Sequence, residues 1–328
     1  MICMKNPSYD TAVLKSEAAR LGFSACGVAV ADHVGEKVSA AFNNWLACGF
    51  NADMRYMEGN QEKRMDPRLL LPGAKSVVVV AMNYYPSKLI EKGHPQFAYY
   101  AYGKDYHDVM KSRLENLASS LGVVDVRYVK EEDDISQKHL GLICCDTVPM
   151  LDRYWAWRAG LGFIGKNTSL IIPGKGSYFF LGEIITDRSF TSYDQPLEFH
   201  CGRCEQCLHA CPTGALGEPY RVDASKCLSY LTIENRGAIP DEYAGKMGDC
   251  IYGCDRCQQT CPHNRFAAPT SIEEFEPSEE LLSMTADDWK QLTKEEYLRL
   301  FRGSAVKRAK YDGFKRNIDA ALNGIDEA

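Results

Sequence analysis

The sequence of 328 residues lacks any apolar run near the roughly 18 residues of a membrane-spanning helix. The longest apolar run, around Val77–Met82, has only the length of a strand. The residues from Met1 to Asp10 lack the charged and then apolar plan of a secretory signal. These absences argue against a membrane partner and lead us to expect a cytoplasmic protein.

Positive charge is not in excess either, because the formal net charge is -6. Proteins that coat nucleic acids are usually basic, so the bulk charge does not indicate one, although a local basic patch is compatible with this total. The hydrophobic fraction of 45% and the charged fraction of 25% are ordinary for a globular protein. The length allows one large domain or two ordinary ones.

Cysteine, by contrast, is abundant, because the chain contains 14 and nine of them lie between Cys201 and Cys261. Disulfides are disfavoured in the cytosol, so this concentration favours metal binding. The remaining cysteines show no metal-ligand spacing, and we interpret them as small buried apolar residues. They are Cys3, Cys26, Cys48, Cys144 and Cys145.

Two cysteine runs end in a Cys-Pro pair, as bacterial ferredoxins do. The first has the spacing C-x2-C-x2-C-x3-C and consists of Cys201, Cys204, Cys207 and Cys211, followed by Pro212. The second consists of Cys254, Cys257 and Cys261, followed by Pro262, and Ile251 stands where its first cysteine is expected. Two such runs favour two [4Fe–4S] clusters over a structural zinc site.

The ligand missing from the second run has two candidates, Cys227 and Cys250. Cys250 is one residue too far from Cys254 for the usual loop, so we favour Cys227. In this run type the last cysteine binds the other cluster. The predicted ligands of one cluster are therefore Cys201, Cys204, Cys207 and Cys261, and those of the other are Cys211, Cys227, Cys254 and Cys257.

Helical and strand patterns alternate before these runs, which predicts a layered α/β domain. The predicted helices span residues 9–21, 36–47 and 105–120, and the predicted strands span 26–30, 76–83 and 123–130. The strand 76–83 is almost wholly apolar and is therefore expected to be buried on both faces. Asp146 or Thr147 is expected to cap a helix that runs through Trp155.

Three glycines, Gly160, Gly162 and Gly165, lie between this helix and the cysteine runs. Their spacing matches neither a P-loop nor a dinucleotide-binding fingerprint. Two interpretations stay open at this point. The glycines form a tight turn between packed elements, or they let the backbone approach a large cofactor.

A longer set of ordered motifs resembles the epoxyqueuosine reductase family over about residues 10–320. The motifs are Tyr102–His107, Asp146–Pro149, Arg153, Arg158–Asn167, Phe179–Glu183, the first cysteine run, Tyr230–Glu234 and Ile251–Cys257. The resemblance implies an α+β chain in three parts. These are a nitroreductase-like cobalamin-binding α/β domain at 1–190, a two-[4Fe–4S] ferredoxin-like module at 191–267 and a helical tail at 268–328.

The resemblance further implies that the chain reduces epoxyqueuosine to queuosine at the wobble position of tRNA. The cofactors would be cobalamin and two [4Fe–4S] clusters, supplied by an unidentified electron donor, and the protein would be a monomer. Asp146 matches the acidic position of the family and is the expected proton donor, with a pKa that burial against the corrin would raise.

Further site residues follow from the same resemblance. We expect cofactor contacts from Tyr102, Lys104, His107, Arg153, Arg158, Gly165, Lys166 and Asn167. The two arginines and Lys166 would meet corrin carboxamides or tRNA phosphates, or they are structural donors, and the sequence does not separate these roles.

The role of the tail remains open at this stage. Many family members continue into helical repeats that help to grip tRNA, and this sequence stops at Ala328. The basic tail residues Lys307, Arg308, Lys310, Lys315 and Arg316 then form either a solvated helix face or a polyanion contact.

Two alternatives to the proposed activity also remain. One is a cobalamin-dependent reductive dehalogenase with a tyrosine donor, and the other is a ferredoxin-type electron-transfer protein without cobalamin.

Overall fold

The structure is a computed structural model that describes residues 8–130, 133–135 and 138–323. The α-helices of this part are α1 Thr11–Arg20, α2 Glu36–Ala47, α3 Gln61–Met65, α4 Tyr106–Ser120, α5 Asp152–Arg158, α6 Gln206–His209, α7 Leu228–Ile233, α8 Asp241–Ala244, α9 Arg256–Gln259, α10 Glu279–Ser283, α11 Ala286–Gln291, α12 Lys294–Leu300 and α13 Lys310–Asn323. The strands are β1 Ala25–Val30, β2 Ser76–Asn83, β3 Gln96–Phe97, β4 Val123–Asp125, β5 His139–Cys144, β6 Phe163–Ile164, β7 Leu170–Ile171, β8 Phe179–Thr186 and β9 Cys250–Tyr252. None of the helices in the described part is long and apolar enough to cross a membrane.

The central sheet has five strands in the order β1-β2-β8-β5-β4. All neighbouring strands are antiparallel except β4 and β5, which are parallel. The valine-rich strand β2 lies inside the sheet, and all of its residues except Asn83 are buried. This confirms the prediction that the run is covered on both faces, because β-branched side chains pack well on a pleated surface with layers above and below.

Helices cover both faces of this sheet. On one face, α1 and α4 bury Leu14, Met110 and Leu114 against β8 and its neighbours. On the other face, α5 buries Trp155 and Ala156 against β1, β2 and β8. The predicted layered α/β architecture is therefore confirmed.

The cysteine-rich segment and the tail share one core with this domain. Strand β3 pairs in parallel with β9, which lies in the cysteine-rich segment. Helix α13 of the tail packs on β9 and α7. The ring of Phe97 contacts Trp289 and Phe314 at centroid distances of 5.3 and 5.7 Å. The division at residues 190 and 267 stays a prediction, and the aromatic core extends across both positions.

Two predicted elements differ from the structure. The strand predicted at 123–130 ends at Asp125, whose side chain accepts a hydrogen bond from the Arg127 N–H and begins a 3-10 turn. The helix predicted to be capped by Asp146 or Thr147 begins only at Asp152. Asp146 has a φ of 60°, in the left-handed region, and therefore belongs to a turn.

The isolated cysteines agree with the prediction only in part. Cys144 and Cys145 are buried and Cys26 is half-buried. Cys48 is exposed, so the prediction that it is a buried residue is wrong. It is the C-cap of α2, a helix without a fully buried residue, which explains the exposure. Cys3 lies outside the described residues.

Candidate active site and cluster ligands

The ligand cysteines gather in two groups. In the first group, Cys207 lies close enough to Cys201 and Cys261 for their charges to raise its pKa, after the larger effect of burial. The pKa of Cys261 is raised by burial and then by Cys201 and Cys204. The structure therefore brings together the four cysteines predicted to bind one cluster.

The second group contains the other four predicted ligands. Burial raises the pKa of Cys227 to about 11, and the charges of Cys254 and Cys211 add to this effect. The pKa of Cys257 is also raised by burial and by Cys254, Cys227 and Cys211. Cys250 interacts with Cys254 alone among these ligands. The geometry thus favours Cys227 over Cys250, and the ligand assignment stays a prediction.

The arrangement also bears on the zinc alternative. No three His, Cys, Asp or Glu side chains among residues 8–130, 133–135 and 138–323 are placed to hold a single metal ion. A cluster spaces its thiolate ligands around a cube, whereas a structural zinc site draws four ligands onto one ion at about 2.3 Å. The cysteines stand in two sets of four, each of which combines ligands from both Cys-Pro runs, and this is the arrangement expected of two clusters.

Two residues predicted to bind the cofactor lie beside the cysteine groups. The backbone N–H of Lys166 donates to the Sγ of Cys201 at 3.5 Å, and its Nζ lies 3.5 Å from Glu205. The Nδ2 of Asn167 donates to the carbonyl of Cys257 at 3.2 Å. Hydrogen bonds from N–H groups to thiolates help set cluster reduction potentials. Lys166 and Asn167 thus belong to the surroundings of the clusters in this structure.

The two groups differ in depth. Cys201 and Cys207 act electrostatically on Tyr220, which is 48% exposed. Cys257 acts on Tyr84, a buried residue of the core. The first cysteine group therefore lies nearer the protein surface, and the second cysteine group lies deeper, next to the core.

Asp146 lies in the turn that follows β5, where two side chains of α4 reach it. Its Oδ2 accepts a hydrogen bond from the Tyr106 hydroxyl at 2.7 Å and lies 3.4 Å from Nε2 of His107. The other ring nitrogen of His107 lies 2.6 Å from Oδ1 of Asp105, which also caps α4. His107 is therefore held between two carboxylates.

This contact decides where the proton is. Hydrogen bonds to Asp105 and Asp146 raise the pKa of His107 to about 9. The hydrogen bond from His107 lowers the pKa of Asp146 and outweighs burial, which acts in the opposite direction. This lowered pKa is opposite in direction to the rise expected from burial against the corrin, because the sequence did not reveal the cationic partner. At neutral pH the proton is held by His107 and the Asp146 carboxyl is ionised.

Packing fixes this group of side chains. The ring of Tyr106 stacks on Phe180 of β8 with a centroid distance of 4.4 Å and an interplanar angle of 7°. The ring of Tyr106 also stacks on the ring of His107, with a centroid distance of 4.0 Å. The first turn of α4 is therefore anchored to the sheet, so Tyr106 and His107 reach Asp146 from fixed positions.

Asp146 and Arg153 are accessible side chains that lie close enough to interact, and we call the space between them the recess. The Asp146 side chain is 63% exposed, and Arg153 is also exposed. The surrounding protein nevertheless desolvates Arg153 and lowers its pKa. Side chains that are accessible yet surrounded by protein line a concave site. Arg153 donates to the carbonyl of Thr168 at 2.6 Å, which ties α5 to the β6–β7 hairpin.

Four other predicted cofactor residues make structural contacts. Tyr102 is buried and its hydroxyl accepts from the Ile90 N–H at 3.4 Å. The backbone of Lys104 donates to the Glu274 carbonyl at 2.7 Å, and Arg158 lies 3.2 Å from Asp32. A Cβ on Gly165 would lie 2.6 Å from Cδ1 of Ile171. The tight-turn interpretation of the glycines is favoured, and direct cofactor contacts of these four residues stay predictions.

Three residues near Asp146 were not singled out as site residues from the sequence. Asp152 and Glu183 both interact with Asp146, and Arg308 of the tail lowers its pKa further. Glu183 is the one charged residue of β8, whose sequence is FFLGEIIT, and a lone acid in an apolar strand was the available signal. Arg308 had no such signal, because its contact with the site depends on the tertiary packing of the tail.

An acid-lined recess in an α/β domain, joined to eight cysteines in ferredoxin order, defines an iron–sulfur oxidoreductase. Residues 200–264 match a 4Fe-4S double cluster binding domain, and residues 64–147 match the family described as epoxyqueuosine reductase QueG, DUF1730. The epoxyqueuosine reductase of Cellulophaga algicola is 44% identical over 316 residues, which cover 96% of this chain and 99% of the relative. The chain belongs to the epoxyqueuosine reductase family.

More distant relatives agree with this placement. The epoxyqueuosine reductase of Escherichia coli is 36% identical over 94% of this chain and 79% of its own length. A crystal structure of epoxyqueuosine reductase with an epoxyqueuosine-modified tRNA stem loop superposes with a TM-score of 0.82 at 32% identity. The match covers 97% of this chain and 82% of that one. The predicted fold class is confirmed.

The chain is thus an oxidoreductase with two [4Fe–4S] clusters and cobalamin as its cofactors. Its residues fit these groups. Eight cysteines stand in two sets of four, and the recess offers the accessible polar side chains of Asp146 and Arg153. The alternatives of a reductive dehalogenase and of an electron carrier without its own reaction are not favoured.

Proposed function

We propose that this chain reduces the epoxide of epoxyqueuosine in tRNA to the cyclopentene of queuosine. The reaction takes two electrons and two protons and releases the epoxide oxygen as water. The observation that supports this proposal most directly is the position of Asp146. Its carboxyl is held by His107 and Tyr106 where it opens onto the recess, in a chain that carries a two-cluster cysteine set.

The ligands of each cofactor can be assigned on this basis. The two cysteine groups would hold the clusters, which supply single electrons. Cobalamin, when bound in the recess, supplies the two-electron chemistry that single-electron clusters do not. Arg153 is the best placed of the predicted polar contacts toward the corrin, because it is exposed to the recess and oriented by Thr168.

The residues of the chain handle the protons. His107 holds one proton between Asp105 and Asp146, and the Tyr106 hydroxyl orients the Asp146 carboxyl. Substrate above the carboxylate desolvates it, which raises its pKa and draws the proton from His107 onto Asp146. Asp146 then protonates the departing epoxide oxygen. A positioned acid of this kind accelerates a reaction by about 10²–10⁴-fold.

Electrons from the unidentified donor would enter beside the first cysteine group. We infer this entry point because Cys201 and Cys207 of the first group lie near Tyr220, which is exposed at the surface. The second group then lies between that surface and the interior. We further propose that the chain works as a monomer in the cytoplasm, as its family resemblance implies.

The tRNA would approach over the mouth of the recess, where Arg308 is exposed. The Nε and Nη2 atoms of Arg308 each donate to a carboxylate oxygen of Glu234 at 2.8 Å, and 55% of the arginine side chain remains accessible. Two other basic residues of the tail are used internally. Arg316 donates to the carbonyls of Leu231 and Asn235, and Lys315 donates to that of Lys290. These contacts favour Arg308 over Arg316 and Lys315 as a phosphate contact.

A turnover assay tests the proposal. Anaerobically purified protein with cobalamin and a strong one-electron reductant is given an anticodon stem loop that carries epoxyqueuosine. Mass spectrometry is expected to show loss of one oxygen atom from the modified base, and only when cobalamin is added. Intact clusters and bound cobalamin without any oxygen loss would overturn the proposed substrate.

A further inference from the structure

Glu183 is a buried carboxyl that the proton transfer described above does not use. Its side chain is 0% exposed, and its carboxyl interacts with another acid, Asp152, and not with a cation. An isolated ionised carboxylate is too costly to keep in such a place, so the group takes up a proton. A buried acid that adjoins another acid inside the active-site layer calls for a functional explanation.

The strand register places Glu183 directly beneath the turn that carries Asp146. Glu183 stands opposite Val79 of β2 and Cys144 of β5. Paired residues of antiparallel strands point to the same face, so its side chain enters the layer covered by α5. The chain leaves β5 at Cys144 and reaches Asp146 two residues later.

The groups that face Glu183 are mainly acids and thiols. Asp152, in the first turn of α5, acts on it most strongly of the titratable groups, and Asp146 acts on it from the turn above. Cys144 faces it from β5, and Cys145 lies just beyond the end of that strand. The nearest cations act on other members of this set, since Arg153 acts on Asp152 and Arg127 acts on Cys144. Glu183 is therefore left without a cation of its own.

Arg153 and Arg64 interact with Asp152 but not with Glu183. The two adjoining carboxyls therefore hold a single proton between them, because both do not ionise at close range in a buried layer. In agreement, burial and Asp152 raise the pKa of Glu183 far above its usual range. Burial and Asp146 raise the pKa of Asp152 to about 6.

We propose that Glu183 and Asp152 share one proton and supply it to Asp146 during epoxide reduction. The inference deepens the proposed function and rests on it. The reaction needs two protons on the departing oxygen, and His107 provides one through Asp146. The second passes from the Glu183–Asp152 pair to Asp146 and on to the oxygen. Both carbon–oxygen bonds of the epoxide break, two electrons from the reductant form the double bond, and the pair regains its proton from water in the recess.

The direction of this transfer is chemically reasonable. The departing oxygen is a far stronger base than any carboxylate, so it draws a proton even from an acid of raised pKa. Once the pair has lost its proton, two carboxylates stand together in an apolar layer. Their repulsion drives rapid uptake of the next proton. Glu183 acts through Asp146 and is a positioning residue, not a group that touches the substrate.

Glu183→Gln tests the proposal, because glutamine keeps the shape of neutral glutamic acid and cannot give up a proton. Infrared spectroscopy of the reconstituted enzyme at pH 7 is expected to show a protonated-carboxyl band. The band should shift in D2O and disappear in Glu183→Gln. Absence of this band from the unsubstituted enzyme would overturn the proposal without any reference to activity.

Kinetics supply the second measurement. Glu183→Gln should lower the turnover rate by about 10-fold to 100-fold, and the loss should grow from pH 6 to pH 8.5 as proton supply from water declines. Asp152→Asn should show the same trend if the first variant folds poorly. Ile185→Val, on the same strand and the same face, is the packing control and should leave the pH profile unchanged.

The outcomes separate the two proposals. Full activity of Glu183→Gln at every pH, with an active unsubstituted enzyme, would refute the proton supply and leave the proposed function intact. A loss that is equal at every pH would show that Glu183 is structural. If the unsubstituted enzyme fails to reduce epoxyqueuosine, the proposed function fails, and the infrared band still decides whether the pair holds a proton.

Discussion

Replacing His107 by glutamine should remove a stabilising charge in a pH-dependent way. The imidazole pKa rises from 6.5 to about 9 because Asp105 and Asp146 accept its hydrogen bonds. This rise corresponds to about 3 kcal/mol for a group shielded from solvent. The side chain is 35% exposed, so solvent screening reduces the contribution to about 1 kcal/mol.

The sign of the effect follows from the raised pKa. The charged imidazole stabilises the folded protein in full below pH 6.5, and this stabilisation is lost as the pH rises through about 9. His107→Gln should therefore lower the thermal unfolding midpoint by about 2 °C at pH 6. At pH 9.5 the difference from the unsubstituted protein should be much smaller.

The assay is thermal unfolding of the anaerobic holoprotein at both pH values. His33→Gln is the control, because His33 bonds the backbone carbonyl of Val34 instead of a carboxylate. An equal destabilisation of His107→Gln at pH 6 and pH 9.5 would refute the reasoning. The ring would then act by stacking on Tyr106 and not by its charge.

Three further predictions concern the site and the clusters. Asp146→Asn should keep both clusters and cobalamin but lose about 100-fold or more of the turnover measured by mass spectrometry, and full activity would remove Asp146 from the mechanism. Cys227→Ser should lose about half of the bound iron while Cys250→Ser keeps it, and the reverse result would overturn the ligand assignment. Arg308→Ala should raise the KM for the stem loop and flatten its salt dependence. Glu234→Gln, which keeps Arg308, is the matched control, and an unchanged KM in Arg308→Ala would exclude the phosphate contact.

Much of the fold could be predicted because its signals are local. Helix α2 and strand β2 have the predicted bounds, since hydrophobic periodicity and an apolar run specify them directly. The turn at Asp146 could not be predicted, because its left-handed backbone depends on contacts with α4. A polar residue before an apolar stretch is equally typical of a helix cap.

The candidate site shows the same division. Cysteine spacing indicated the cluster ligands, because three ligands of a cluster lie in one short loop. The pKa of Asp146 could not be predicted, since its partner His107 is 39 residues away and approaches only through folding. The positions of Tyr102 and Arg158 depend likewise on tertiary packing, which places them against Ile90 and Asp32.

The position of β9 has a consequence for biosynthesis. This short strand lies between β3, made early, and α13, which leaves the ribosome among the last segments of the described chain. Cys254 and Cys257 follow β9 directly and depend on its placement. We expect the nascent chain to hold an unfinished second cysteine pocket until α13 has left the ribosome. Iron–sulfur delivery to that pocket then follows synthesis of α13, and scaffold proteins would meet a client whose cysteine-rich segment has already been made.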